Sequence, residues 1–254
     1  MAVATAALTE ITGSGEALLL VHGLGGTSNV WLPQARTLSR HFLVVRPELS
    51  GSGRAPLDGS LSTEGLVAEL VWLMDELELD SAHLAGHSYG ALICQHLAAR
   101  HPERVDSLFL LGAFREPPDP ARRALRERAA KARVEGLADI ADEIVEAGTS
   151  AETKAARPEV AAFVRELIMR QVPSGYAATC ESLADSYAAD LAELDCPTLV
   201  LTGDEDNTAP PSAALAVAEA IPEAAFEILP RCGHWATLER PREVTSQMVN
   251  FLLG

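Results

Sequence analysis

Residues 82–100 read AHLAGHSYGALICQHLAAR. Ala82–Gly86 is read as a strand and Tyr89–Arg100 as the helix that follows, so Gly86-His87-Ser88-Tyr89-Gly90 falls on the turn between them. A serine on so sharp a strand-to-helix turn has its hydroxyl lifted above the end of the sheet. The glycines two residues to either side have a steric job, because a side chain at 86 or 90 would run into neighbouring strand or helix backbone. The helix beginning beside Ser88 also turns free N–H groups and the positive end of its dipole toward that hydroxyl. Ser88 is therefore the candidate nucleophile.

Outward from this turn the chain alternates strand and helix. Toward the N-terminus, Ala17–Gly23 (ALLLVHG) is a continuous apolar run ending in glycine, as expected of a strand buried on both faces. Phe42–Arg46 (FLVVR) is a second strand, closed by Pro47. Ser62–Leu79 has helical period, with Ser62 or Thr63 as the N-cap and Leu66, Leu70, Leu73 and Leu77 on one face. Toward the C-terminus, Val105–Leu111 is another strand, after which the Pro-rich Phe114–Pro120 breaks the pattern. Residues 121–190 hold helical segments and no convincing strand; Pro158 sits at a first-turn position ahead of Val160, Phe163, Val164, Leu167 and Ile168. Strands then return at Pro197–Gly203 and Ala225–Leu229, with helices over Ser212–Ile221 and Pro241–Leu253. Strands separated by helices mean βαβ units, so the fold class is α/β, with a mostly parallel central sheet and helices on both faces. The expected division is a core of residues 1–116 and 191–254 around a helical cap of residues 117–190.

Composition narrows the function classes. A chain of 254 residues buries roughly three quarters of its unfolded surface and needs no metal or disulfide staple. Its 20 Lys+Arg against 36 Asp+Glu give a net charge of −16, which argues against nucleic acid as a partner. The opening MAVATAALTEITG lacks the basic n-region of a signal peptide, and no apolar run approaches the roughly 20 residues of a membrane span. The expectation is no membrane association. Cys94, Cys180, Cys196 and Cys232 are scattered without paired spacing, so free thiols in a reducing cytoplasm are expected.

A nucleophilic serine needs a base and a group to orient that base. Of the seven histidines, His234 stands in Cys232-Gly233-His234-Trp235 directly after the last strand, at the same sheet edge as Ser88. His22 and His87 lie inside glycine-rich turns and are read as holding them. Among the carboxylates of Gly203-Asp204-Glu205-Asp206, Asp206 is the choice for the acid and Asp204 the runner-up. The glycines of Val21-His22-Gly23-Leu24-Gly25-Gly26 let the Leu24 amide turn toward a substrate oxygen, with the Tyr89 amide as the second donor. Trp31, Trp235 and Arg133 are the candidate substrate-contacting residues.

With HGLGG, GHSYG, GDEDNTAP and GHW in this order, the chain resembles the α/β-hydrolase superfamily over nearly its whole length. Within it, HPERVDSLFLLGA, RPEVAAFVRELIMRQVPSGYAATCESLAD and CPTLVLTGDEDNTAPP are most similar to 3-oxoadipate enol-lactonases and related carboxylesterases. The resemblance implies a cap over the site, a serine hydrolase mechanism, a small-molecule ester or lactone as substrate, and no cofactor or metal. Two stretches depart from it: Arg46-Pro47-Glu48-Leu49-Ser50-Gly51-Ser52-Gly53 replaces an Arg-Gly-His-Gly-type turn, and Tyr89-Gly90 stands where close relatives have methionine and glycine. Arg115, Arg122, Arg123, Arg126, Arg128, Lys131 and Arg133 crowd into residues 115–133, either as a solvated helix face or as a region that draws in a substrate carboxylate. A C–C bond hydrolase using the same triad, or a non-catalytic receptor on this fold, are the alternative readings.

Overall fold

The apolar runs become the middle of one sheet. The computed structural model describes residues 8–57 and 59–254, so residues 1–7 of the opening stretch lie outside it. Its strands are β1 (Glu10–Gly13), β2 (Ala17–Val21), β3 (Leu43–Arg46), β4 (Ala82–His87), β5 (Val105–Leu111), β6 (Thr198–Gly203) and β7 (Ala225–Leu229). They lie in the order β1-β3-β2-β4-β5-β6-β7, and every pair is parallel except β1 with β3. Leu18, Leu19, Leu20 and Val21 of β2 are fully buried, as are Leu108–Leu111 of β5, because helices cover both faces. β7 forms an edge and exposes most of its residues.

β1 was not among the expected strands. Its four residues, EITG, are all exposed and carry no apolar run. Antiparallel pairing with β3, from Glu10↔Arg46 to Gly13↔Leu43, makes it a strand, and no local pattern encodes that partner.

The helices are α1 (Leu32–Leu38), α2 (Thr63–Glu76), α3 (Tyr89–Arg100), α4 (Asp119–Glu135), α5 (Ala138–Gly148), α6 (Ala151–Ala156), α7 (Pro158–Met169), α8 (Pro173–Asp185), α9 (Pro211–Ala218), α10 (Ala236–Glu239) and α11 (Pro241–Leu253). Ser62 caps α2 by accepting from the Gly65 amide at 3.0 Å, and Leu66, Leu70 and Leu73 are buried beneath it. Five of these helices, α4–α8, occupy the stretch between β5 and β6, which holds no strand among the described residues. Here α4 packs on α8 and α5 on α7. The α7 stripe is buried at Val160, Val164, Leu167 and Ile168, while Phe163 is partly exposed.

From β2 the chain runs to β3 on one side and then crosses to β4 on the other. The C-terminal ends of β2 and β4 therefore flank the point where strand order reverses, the place where open α/β sheets hold ligands. Gly86-His87-Ser88-Tyr89-Gly90 and His22–Gly26 both leave the sheet there. The four cysteines are free thiols, three of them buried. Among the described residues no helix is long and apolar enough to cross a membrane.

Candidate active site

Ser88 links β4 to α3 with φ 57° and ψ −120°, a left-handed backbone that few non-glycine residues adopt. The turn is held from both sides. The Ser88 amide donates to Leu111 O at 2.9 Å, and the Ala91 and Leu92 amides donate to Ser88 O at 2.9 and 3.2 Å. The flanking glycines are there for space: a Cβ on Gly86 would lie 2.5 Å from Gly90 O, and one on Gly90 would lie 2.4 Å from Val21 O.

His234 Nε2 lies 2.8 Å from Ser88 Oγ, and His234 Nδ1 lies 2.8 Å from Asp206 Oδ2. All three residues are buried. Asp206 is aimed by its own loop, because its Oδ1 accepts from the Thr208 and Ala209 amides at 2.9 and 2.7 Å. That leaves Oδ2 for the imidazole. A carboxylate only accepts, so the proton of neutral His234 sits on Nδ1 and the Nε2 lone pair faces the serine hydroxyl. Asp204 is engaged elsewhere: its Oδ1 accepts from the Cys232 amide at 3.0 Å and shapes the loop that carries His234.

The other two histidines at this rim are neutral supports. His87 Nε2 donates to His234 O at 2.7 Å, its Nδ1 has no partner, and burial next to His234 lowers its pKa to about 3. His22 donates from Nδ1 to Gly23 O at 2.9 Å and accepts the Leu49 amide on Nε2 at 3.1 Å, with its pKa also lowered by burial.

The turn after β2 is closed by Gly26 N–H to Gly23 O at 3.0 Å, with Gly25 at φ +73°. Gly23 is so close to the serine that a Cβ there would sit 2.8 Å from Ser88 Cβ and 3.2 Å from the Tyr89 nitrogen. The Gly23–Leu24 peptide thus runs beside the Ser88–Tyr89 peptide. Tyr89 opens α3, so its amide belongs to the helix end that lacks intrahelical acceptors. Its phenol bonds Thr63 Oγ1 at 3.0 Å and Ser182 Oγ at 2.6 Å, joining the serine turn to α2 and α8.

Gln171, just past α7, was not picked out from the sequence. Its Nε2 donates to Gly25 O at 3.1 Å and its Oε1 accepts the Gly53 amide at 2.7 Å. A signal was available: Gln171 continues the buried stripe four residues beyond Leu167, and a polar residue there needs partners. Glu239 gave no such signal. Its buried carboxylate accepts from the Ser150 amide and Thr153 Oγ1, each at 2.8 Å, and from the Trp235 amide at 3.2 Å. The His234 amide itself donates to Gly148 O at 2.8 Å.

A cavity of about 500 Å³ opens over Ser88 and His234, with Leu24, Phe114, Leu125, Ile144 and Trp235 in its walls. Of the expected substrate-contacting residues, Trp235 lines it and two do not. Trp31 is fully buried in the core, in the single turn that precedes α1. Arg133 points to solvent from the end of α4, where Glu181 grips it through two contacts of 2.5 and 2.7 Å. From the basic run of 115–133, only Arg128 is among the lining residues. No group of three His, Cys, Asp or Glu among the described residues is placed to hold a metal ion.

A buried hydroxyl–imidazole–carboxylate relay beside two backbone amides, at the end of a parallel sheet, is the arrangement of hydrolases that attack carbonyl carbon. The family model of the alpha/beta hydrolase fold matches residues 16–241, and the chain belongs to that family. It is similar to a thermophilic esterase from Thermogutta terrifontis in a malate-bound structure, with 31% identity and a TM-score of 0.92 over 96% of this chain and 92% of that one. An enol-lactonase from Burkholderia xenovorans LB400 is 29% identical, with a TM-score of 0.91 over 97% of this chain and 96% of that one. A 2-hydroxy-6-oxo-2,4-heptadienoate hydrolase from Pseudomonas putida is 29% identical over 94% of this chain and 90% of its own.

Proposed function

We propose that the protein hydrolyses carboxylic esters or lactones through an acyl-enzyme on Ser88. The observation that carries the reading is the pair of 2.8 Å contacts running from Ser88 through His234 to Asp206 beneath a mostly apolar cavity. His234 Nε2 takes the hydroxyl proton as Ser88 Oγ bonds to the substrate carbonyl carbon. The Leu24 and Tyr89 amides receive the negative oxygen, and Asp206 stabilises the imidazolium and fixes its orientation. Collapse breaks the bond to the leaving oxygen, which takes the proton from His234 and leaves an ester on Ser88. Water, deprotonated by His234, then adds to that ester, and the acid departs as the proton returns to Ser88. No step calls for a cofactor, and free buried thiols suit a reducing cytoplasm.

Similarity to an esterase and an enol-lactonase supports oxygen esters as the bond cleaved. The Pseudomonas putida relative favours a second reading, C–C bond cleavage by the same relay. Product analysis separates the two: a ring-fission 2-hydroxy-6-oxo-dienoate turned over faster than any ester or lactone would replace the first reading by the second.

Ser88→Ala is expected to abolish ester hydrolysis with an unchanged circular dichroism spectrum. Asp206→Asn should lower kcat by about ten-thousand-fold, because the amide imposes the wrong imidazole tautomer. Asp204→Asn should be far milder, since that side chain shapes the loop and does not touch the imidazole. Wild-type-like turnover by the Ser88→Ala variant ends the proposal, and a reversed ranking of the two aspartates moves the acid to 204.

A further inference from the structure

Three charged side chains reach the mostly apolar cavity: Glu116, Arg128 and Glu143. The two carboxylates are already compensated. Glu116 Oε2 accepts from Arg122 Nη2 at 2.7 Å, and Glu143 Oε1 accepts from Lys131 Nζ at 2.7 Å. Arg128 has no carboxylate within ion-pairing distance among the described residues.

The rest of the basic run is either paired or placed away from the cavity. Arg126 pairs with Asp185 at 2.6 Å, Arg133 pairs with Glu181, and Arg115 donates to Ala189 O at 2.8 Å. Arg123 is exposed and is not among the lining residues. Arg128 alone combines an open positive charge with a place in the cavity wall. It is half-buried and lies beside the buried Tyr176 hydroxyl, a neutral group that does not compensate its charge.

A guanidinium stays charged at any pH the fold survives, and its planar fork matches a carboxylate in two parallel bonds. Removing it partly from water without a counter-charge is unfavourable, whereas a bound anion offsets the loss. We infer that Arg128 is an anion subsite, recognising a carboxylate that the substrate carries in addition to the carbonyl attacked by Ser88. The preferred substrates are then half-esters of dicarboxylic acids, esters of hydroxy acids, or lactones with a free carboxylate. The inference rests on the hydrolase reading above for its reacting end.

The test compares matched probes. 4-Nitrophenyl hydrogen glutarate against 4-nitrophenyl valerate places the carboxylate on the acyl side. The butyrate ester of 4-hydroxybutyrate against butyl butyrate places it on the leaving side. Wild type is expected to prefer the anionic member of at least one pair, and Arg128→Gln to lower that kcat/KM ratio by about tenfold or more. Arg128→Lys, which keeps charge but not the fork, should fall between them. Arg133→Gln, whose partner is Glu181 at the surface, should keep the wild-type ratio. A ratio unchanged by Arg128→Gln in both pairs overturns the subsite.

Binding provides a second readout, independent of turnover. Glutarate should raise the Tm of the Ser88→Ala variant and lose that effect in the Ser88→Ala/Arg128→Gln double variant. Glutarate binding that depends on Arg128 without ester turnover in wild type would sink the hydrolase reading and keep the subsite. Turnover of neutral and anionic probes alike, with no Arg128-dependent glutarate binding, would do the reverse.

Discussion

A non-glycine residue in the backbone region that Ser88 occupies costs about 1–3 kcal/mol, so the turn persists only because its surroundings over-determine it. Three backbone hydrogen bonds and two close approaches at Gly86 and Gly90 supply that constraint. Gly90→Ala would push a methyl group against Val21 O and His22 O at 2.4 and 2.6 Å, backbone atoms that cannot rotate away. The variant is expected to lose about 3 kcal/mol in urea-midpoint stability, the upper range for overpacking, and a wild-type midpoint would contradict this account. The glycine pair could be read in advance because its steric reason is local to five residues. The bond His87 makes to the His234 loop could not, because its acceptor is the carbonyl of a residue 147 positions away, whereas the sequence pattern suggested only that it holds its own turn. Arg133 and Arg128 make the same point about chemistry: both are arginines on one helix, and only the packing of α4 against α8 decides which one meets the cavity.

Helices α7 and α8 bear on the reacting end through Gln171, whose amide bridges the Gly25 carbonyl and the Gly53 amide. Gln171→Ala strands both groups, at a cost of about 1–3 kcal/mol, and loosens the turn that presents the Leu24 amide. If that amide acts mainly on the developing oxyanion, kcat should fall by about tenfold or more with little change in KM. Steady-state kinetics on a neutral ester would show it, and a pure rise in KM would reassign Gln171 to substrate binding. Elements with strong apolar runs or helical stripes were legible as such, including β2, β5 and α7 with its first-turn proline. β1 was not, because an exposed EITG becomes a strand only through its partner. The end of α2 was misplaced by a few residues: the helix stops at Glu76, and Glu78 takes φ 55°, where the leucine pattern continues to Leu79. The residues of the candidate site were readable from where glycine motifs meet strand ends. Its wall was not, because Trp31 has the composition of a pocket residue but the position of a core one.

At the scale of the whole molecule, buried neutral histidines set the acid side of stability. Burial lowers the pKa of His22, His87 and His96 in the fold, with His87 at about 3. Their unfolded pKa is near 6.5, so the unfolded chain binds more protons below that pH. Their stabilising contribution is complete above about pH 6.5 and is lost as pH falls toward the folded values, at up to about 1.4 kcal/mol per pH unit for each. Urea midpoints should therefore fall between pH 7.5 and pH 5. His87→Gln, which keeps an N–H for His234 O and cannot titrate, should flatten that slope by one proton. An equal slope in both proteins would remove His87 from this account, leaving His22 and His96 to explain the effect. One further feature belongs at this scale: the His234 amide is bonded to Gly148, and Glu239 bridges Ser150, Thr153 and Trp235. Residues 148–153 and the imidazole thus share a mooring. Any displacement of that segment would drag the base out of alignment. Grafting foreign helices in place of residues 138–156 would keep the relay only if the graft brought its own berth for that imidazole.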